Sequence, residues 1–182
     1  MTHPKPNLIL IGLRASGKST LGAWLAKTLN IEFVDLDDES SKVLNCSAPG
    51  EAIEKHGIDA FRDAEAEALE TALKAPNQII ALGGGSPTAP GCSTILQDAQ
   101  ATGSSRIIYL RALPATLSDR LQSTDNTNRP ALVGDNPIDE VQALFDQRDE
   151  LYHNIAESTI HTDGLTEDSV MAALLAIAKA GI

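Results

Sequence analysis

Gly12-Leu13-Arg14-Ala15-Ser16-Gly17-Lys18-Ser19 fits the pattern G-x-x-x-x-G-K-[ST], and both of its flanks agree with it. Upstream, residues 8–11 form a short apolar run that reads as a strand; downstream, Leu21, Leu25 and Leu29 recur at helical spacing. A strand, a glycine-bounded turn and a helix are the context that pattern requires. The backbone N–H groups of such a turn curl around phosphate oxygens, and the helix N-terminus adds partial positive charge. Lys18 supplies a point charge for the β- and γ-phosphates of ATP, and Ser19 offers a hydroxyl to Mg²⁺. Gly12, Arg14, Ala15, Ser16, Gly17, Lys18, Ser19 and Thr20 are therefore candidate ATP-binding residues.

Outward from this loop, strand and helix patterns alternate. Residues 31–36, 78–82, 106–110 and 159–161 read as strands. Residues 40–50 contain Ser, Asn, Pro and Gly and break the pattern before a short helix ending near His56-Gly57. Helices are expected over 59–75 with Asp59 as cap, from Pro114 to about 121, from Asn136-Pro137 onward and over 166–179. Five strands separated by helices predict an α/β fold whose parallel sheet is covered on both faces. Residues 122–136 are polar with one basic residue, Arg129, and a loop of that kind reads as a mobile lid.

Composition narrows the function. The 182 residues suit a single domain, 1–182, and 42% hydrophobic residues are enough for a core. With 14 Lys and Arg against 25 Asp and Glu the net charge is −11, which argues against nucleic acid or anionic membrane as partners. Cys46 and Cys92 stand outside any Cys-x-x-Cys pair, so neither a disulfide framework nor a zinc site is expected. No apolar stretch has the length of a signal or a membrane span. The expectation is a reduced, cytoplasmic enzyme.

A phosphate loop alone leaves the phosphate acceptor open. Residues 125–128 read Asp-Asn-Thr-Asn, not the Asn-Lys-x-Asp of a guanine-binding switch. Asp35 and Asp37 close the second strand pattern, and i, i+2 residues on a strand share a face. Both can point into the crevice beyond the strand ends, one toward a metal-bound water and one toward a hydroxyl; a solvated acidic turn is the alternative. Arg62 falls in the first turn of the 59–75 helix, where the dipole disfavours a cation, and Glu65 at i+3 can orient it. Arg148 lies near the end of its predicted helix, where the dipole favours it, so an ordinary surface arginine stays open. Gly83-Gly84-Gly85 after an apolar strand permits close approach of a ligand, or makes a flexible turn before Pro87.

Taken together, the phosphate loop, Asp35-x-Asp37, Phe61-Arg62-x-x-Glu65, Gly83-Gly84-Gly85, Arg129-Pro130 and Arg148-x-x-Leu151-Tyr152 resemble shikimate kinases in order and spacing over nearly the whole chain. The resemblance implies a nucleoside-monophosphate-kinase-like P-loop fold with five parallel strands. It implies ATP-dependent phosphorylation of shikimate at the 3-hydroxyl, a step toward chorismate and the aromatic amino acids. Carried over, Lys18, Asp37 and Arg129 are catalytic. Ser19 binds Mg²⁺ directly and Asp35 does so through water. Asp37, Arg62, Gly83, Gly84, Gly85 and Arg148 bind shikimate, within an acceptor segment that spans roughly 37–65. Arg120, just before the lid, packs on adenine. A monomer is expected.

The chain departs from the family pattern at Arg14 and Ala15 in the loop, at Ser41, and at Ile58 after Gly57. Its lid is slightly longer than usual, and no Arg stands near Thr162-Asp163-Gly164 to help hold adenine. Two rival readings remain: a kinase of the same fold acting on another hydroxy acid such as gluconate, and a non-catalytic nucleotide-binding regulatory module.

Overall fold

A computed structural model describes residues 5–123 and 140–180. Its five strands are β1 (Asn7–Ile11), β2 (Glu32–Asp35), β3 (Gln78–Ala81), β4 (Ser105–Arg111) and β5 (Ser158–His161). They form one parallel sheet in the order β2-β3-β1-β4-β5. Its helices are α1 (Lys18–Leu29), α2 (Leu36–Val43), α3 (Pro49–Ala72), α4 (Pro90–Ala101), α5 (Pro114–Gln122), α6 (Val141–Ile155) and α7 (Glu167–Ala180).

The central strand explains the layering. All of β1 is buried, and its side chains alternate between two cores. Leu8 and Leu10 join Leu21 and Leu25 of α1 and Leu174 of α7. Ile9 and Ile11 join Leu69 of α3, Leu96 of α4 and Tyr152 of α6. A continuous apolar run is what a strand buried on both faces requires.

Strand order then positions the site. From β1 the chain crosses to β2 at one edge, returns through β3, and passes β1 to reach β4 and β5. The order therefore reverses beside β1, and the loops after β1 and β3 open together at the strands' carboxyl ends. That crevice is where doubly wound sheets bind ligands.

The local expectations hold in part. The break predicted over 40–50 is partly helical, because α2 begins directly after β2 and runs to Val43. The two helices expected around Gly57 are the arms of α3, divided where Gly57 takes φ 84° and ψ 163°. Asp59 thus follows that break inside α3, and the second arm ends at Ala72, not 75. Helix α4 is not expected from the sequence, because Pro90 and Gly91 look like breakers, yet proline suits a first helical turn. The helix start expected at Asn136-Pro137 lies outside the described residues. Among the described residues, no helix is long and apolar enough to cross a membrane.

Candidate active site

The phosphate loop is shaped by steric necessity at its first residue. Gly12 has φ 154°, and a Cβ there would lie 2.6 Å from both Leu110 O and Ser16 Oγ, so only glycine fits. Lys18 is buried, its ammonium donating to Gly12 O at 2.9 Å and Leu13 O at 3.0 Å. The Ser19 hydroxyl donates to Asp35 Oδ2 at 2.5 Å. Asp35 also caps α2, its Oδ1 accepting the Asp37 N–H at 3.1 Å.

The strand geometry expected for Asp35 and Asp37 is therefore wrong in detail. β2 ends at Asp35, and Asp37 sits in the first turn of α2, where Asp37, Asp38 and Glu39 meet the positive end of the helix. Asp37 nevertheless faces the expected crevice. There it borders a cleft of about 1030 Å³, open to solvent, with Arg14, Lys18, Ser19, Arg62, Gly83-Gly84-Gly85 and Arg148. Ile53, Ile58, Phe61 and Leu117 form an apolar wall that the sequence reading did not assign. A cleft with apolar walls and a few convergent charged groups is the usual form of a small-molecule site.

Arg148 is not a surface residue. It lies in the middle of α6, is only 5% exposed, and donates through Nη1 to Gly84 O at 2.8 Å. Its Nε is buried with no partner among the described residues. Tyr152, one turn later, donates its hydroxyl to the same Gly84 oxygen at 2.7 Å. Burial raises the Tyr152 phenol to about 12, which keeps it a donor. Arg62 stands five residues past the Gly57 break, beyond the first turn, so the dipole argument does not apply to it.

Glu65 differs from expectation as well. It forms no ion pair with Arg62; its carboxylate instead accepts from the Ser86 hydroxyl. Burial pushes Glu65 up to about 7, against the opposing pull of that hydrogen bond and of Arg62 and Arg148. A Cβ on Gly83 would collide with Asp37 Oδ1, Glu65 Oε1 and Ser86 Oγ. Glycine is needed at that close approach.

A second pocket of about 620 Å³ adjoins the loop on its other side. Ala15, Ser16, Gly17, Thr20 and Arg120 border it, together with Thr162 and Leu165, which the sequence reading did not assign to a site. Arg120 donates to Ala15 O at 3.4 Å and to Thr162 Oγ1 at 3.3 Å, linking two residues that border the pocket. Asp163 accepts from Leu113 N and Thr116 Oγ1, both at 2.8 Å, fastening this late loop to α5. Arg14 borders the first cleft and not this one. Arg129 and residues 124–136 of the expected lid lie outside the described residues.

The family model described as shikimate kinase matches residues 14–179. The chain belongs to the shikimate kinase family. A shikimate kinase of Limosilactobacillus fermentum is 35% identical over 173 residues, 95% of each chain. One from Xanthomonas axonopodis pv. citri is 31% identical over 174 residues, covering 95% of this chain and 92% of that one. Among solved structures, a shikimate kinase from Acinetobacter baumannii in complex with shikimate aligns with a TM-score of 0.82 and 28% identity, covering 98% of this chain and 96% of the other. A gluconokinase from Sinorhizobium meliloti, at 15% identity and a TM-score of 0.58, shares the fold alone. As a shikimate kinase the chain is a phosphotransferase acting on a small molecule, and neither the gluconate nor the regulatory alternative is favoured.

Proposed function

We propose that the cleft bordered by Asp37, Arg62 and Arg148 holds shikimate, that the adjoining pocket holds the nucleoside of ATP, and that the phosphate loop between them presents the γ-phosphate to the shikimate 3-hydroxyl. The products are shikimate 3-phosphate and ADP. One observation carries the reading: Arg62, Arg148 and Asp37 border the same cleft as Lys18 and Ser19. Acceptor and phosphate groups thus meet across one space.

In this reading Arg62 and Arg148 bind the shikimate carboxylate, for which planar guanidinium donors are suited. Asp37 accepts from the shikimate hydroxyls and takes the proton of the 3-hydroxyl as its oxygen bonds to phosphorus. The bond from phosphorus to the β,γ-bridging oxygen breaks in the same displacement. Lys18 stabilises charge on the β- and γ-phosphates, and Arg129, from the 122–136 lid, does so at the transferring group. Gly83, Gly84 and Gly85 let substrate approach the backbone. Arg120 lies against adenine beside Thr162 and Leu165.

Ser19 and Asp35 bring hard oxygen donors together, the donor type Mg²⁺ prefers. Ser19 would hold the ion directly and Asp35 through water, and the ion would neutralise phosphate charge. The reading takes 1–182 as a single kinase domain, monomeric and cytoplasmic, with roughly 37–65 binding the acceptor. Its partners are ATP and shikimate, not nucleic acid or membrane, which the net charge of −11 supports.

Coupled ADP release with ATP and Mg²⁺ tests this, comparing shikimate, gluconate and no acceptor. Shikimate-dependent release is expected. Equal release with gluconate, or release without any acceptor, overturns the reading.

A further inference from the structure

Helix α6 carries Arg148, and its neighbouring side chains fasten that helix to the sheet. Asp149 pairs with Arg111 of β4 through two parallel bonds, Nε to Oδ1 at 2.7 Å and Nη2 to Oδ2 at 2.7 Å. Tyr109 of β4 donates to the same carboxylate at 2.8 Å. Burial raises Asp149, but these hydrogen bonds outweigh it and keep the carboxyl below its ordinary value. The Arg111 guanidinium also lies over the Phe145 ring of α6, 4.9 Å from its centroid. On the far side of Arg148, Tyr152 reaches Gly84 O, and its ring meets Tyr109 edge-on at 5.6 Å.

These contacts bracket Arg148. Its own visible tether is one bond, Nη1 to Gly84 O, while its Nε is buried with no partner among the described residues. Where its guanidinium stands is therefore governed by where α6 stands. A bidentate Arg–carboxylate pair fixes orientation as well as distance, which a single hydrogen bond does not.

We propose that Asp149 and Tyr152 are positioning residues for Arg148, holding α6 against β4 and the Gly84 loop so that its guanidinium faces the acceptor carboxylate. The proposal rests on the carboxylate-binding role given to Arg148 above. Its competitor is a stability role alone. A stability role alone would lower the melting temperature without moving the shikimate KM of the folded variant, so the two roles separate experimentally.

The test is steady-state kinetics on Asp149→Asn, Arg111→Ala, Tyr152→Phe and Arg148→Ala, with thermal melting of each. Asp149→Asn and Tyr152→Phe should each raise the shikimate KM about tenfold, with kcat and the ATP KM within about twofold, the pattern of a misplaced ground-state contact. Arg111→Ala should match Asp149→Asn, and the double variant should be no worse than either. Asp149→Glu, which keeps the charge, should recover most of the loss. A shikimate KM unchanged in folded Asp149→Asn and Tyr152→Phe, while Arg148→Ala raises it, overturns the positioning role alone. An Arg148→Ala variant with unchanged shikimate KM overturns the carboxylate reading and this proposal with it. Parallel loss of shikimate and ATP affinity also overturns it.

Discussion

The Ser19 hydroxyl donates to Asp35 Oδ2 at 2.5 Å, joining the first turn of α1 to the carboxyl end of β2. The pair brings two hard oxygens to the edge of the phosphate loop, where ATP charge must be neutralised before a hydroxyl can approach. Ser19→Ala and Asp35→Asn should each raise the Mg²⁺ concentration for half-maximal activity by about tenfold or more. A Mg²⁺ titration of ADP release reads this, and full activity in excess chelator would refute the metal assignment.

Arg62→Lys should already be harmful, because an ammonium cannot offer two parallel bonds to a carboxylate. Removing a buried charged contact costs about 2–5 kcal/mol, and the loss should fall on shikimate binding and not on ATP binding. Arg148→Ala should act in the same direction. If both guanidinium groups grip one carboxylate, the double variant will be non-additive. Separate calorimetric titrations with shikimate and ATP decide it.

Glu65 gives the protein a pH-dependent stability of unusual sign for a carboxylate. Burial holds it near 7 in the folded chain, against 4.5 as its ordinary value. Between those values the folded state keeps a proton that the unfolded state has lost. Its contribution is therefore full below about pH 4.5 and falls as pH rises through about 7, by about 3 kcal/mol for an isolated group. Glu65→Gln should remove that slope. Denaturant unfolding of both proteins from pH 5 to 8 measures the difference, and equal slopes would show that Glu65 is not the group responsible.

Ala15 adopts φ 63°, a left-handed conformation that a Cβ makes unfavourable. Glycine at this position should stabilise the folded chain by up to about 1 kcal/mol, part of the relief being offset by a more flexible unfolded state. Thermal unfolding of Ala15→Gly checks this. A lower melting temperature would mean that the alanine methyl makes a contact worth more than the strain.

The phosphate loop was legible because its chemistry is written in contiguous residues: glycines for the turn, a lysine and a serine at fixed offsets. Residues 8–11 were legible for a similar reason, since a strand buried on both faces is apolar throughout. Arg148 was not. Its neighbours Asp146, Asp149 and Glu150 give the segment the look of a solvated face, yet Asp149 is consumed by Arg111 and Arg148 turns inward to Gly84. That arrangement depends on two partners brought together only by the sheet. Asp37 was placed on the right cleft for the wrong reason, since alternation along a strand could not reveal that Asp35 itself ends β2 and caps the next helix. The Glu65–Ser86 bond was equally hidden, because the partners lie 21 residues apart and meet only through packing of α3 against the loop after β3.

The carbonyl of Gly84 receives its two donors from residues 64 and 68 positions farther along the chain. During synthesis the phosphate loop and the glycine turn emerge first, and α6, which supplies both donors, is made later. A ribosome-bound chain that ends before Tyr152 therefore carries a nucleotide cradle beside an unbraced glycine turn. Because ligands stabilise only the state that binds them, an acceptor molecule favours chains that already include α6 over those that stop short of it.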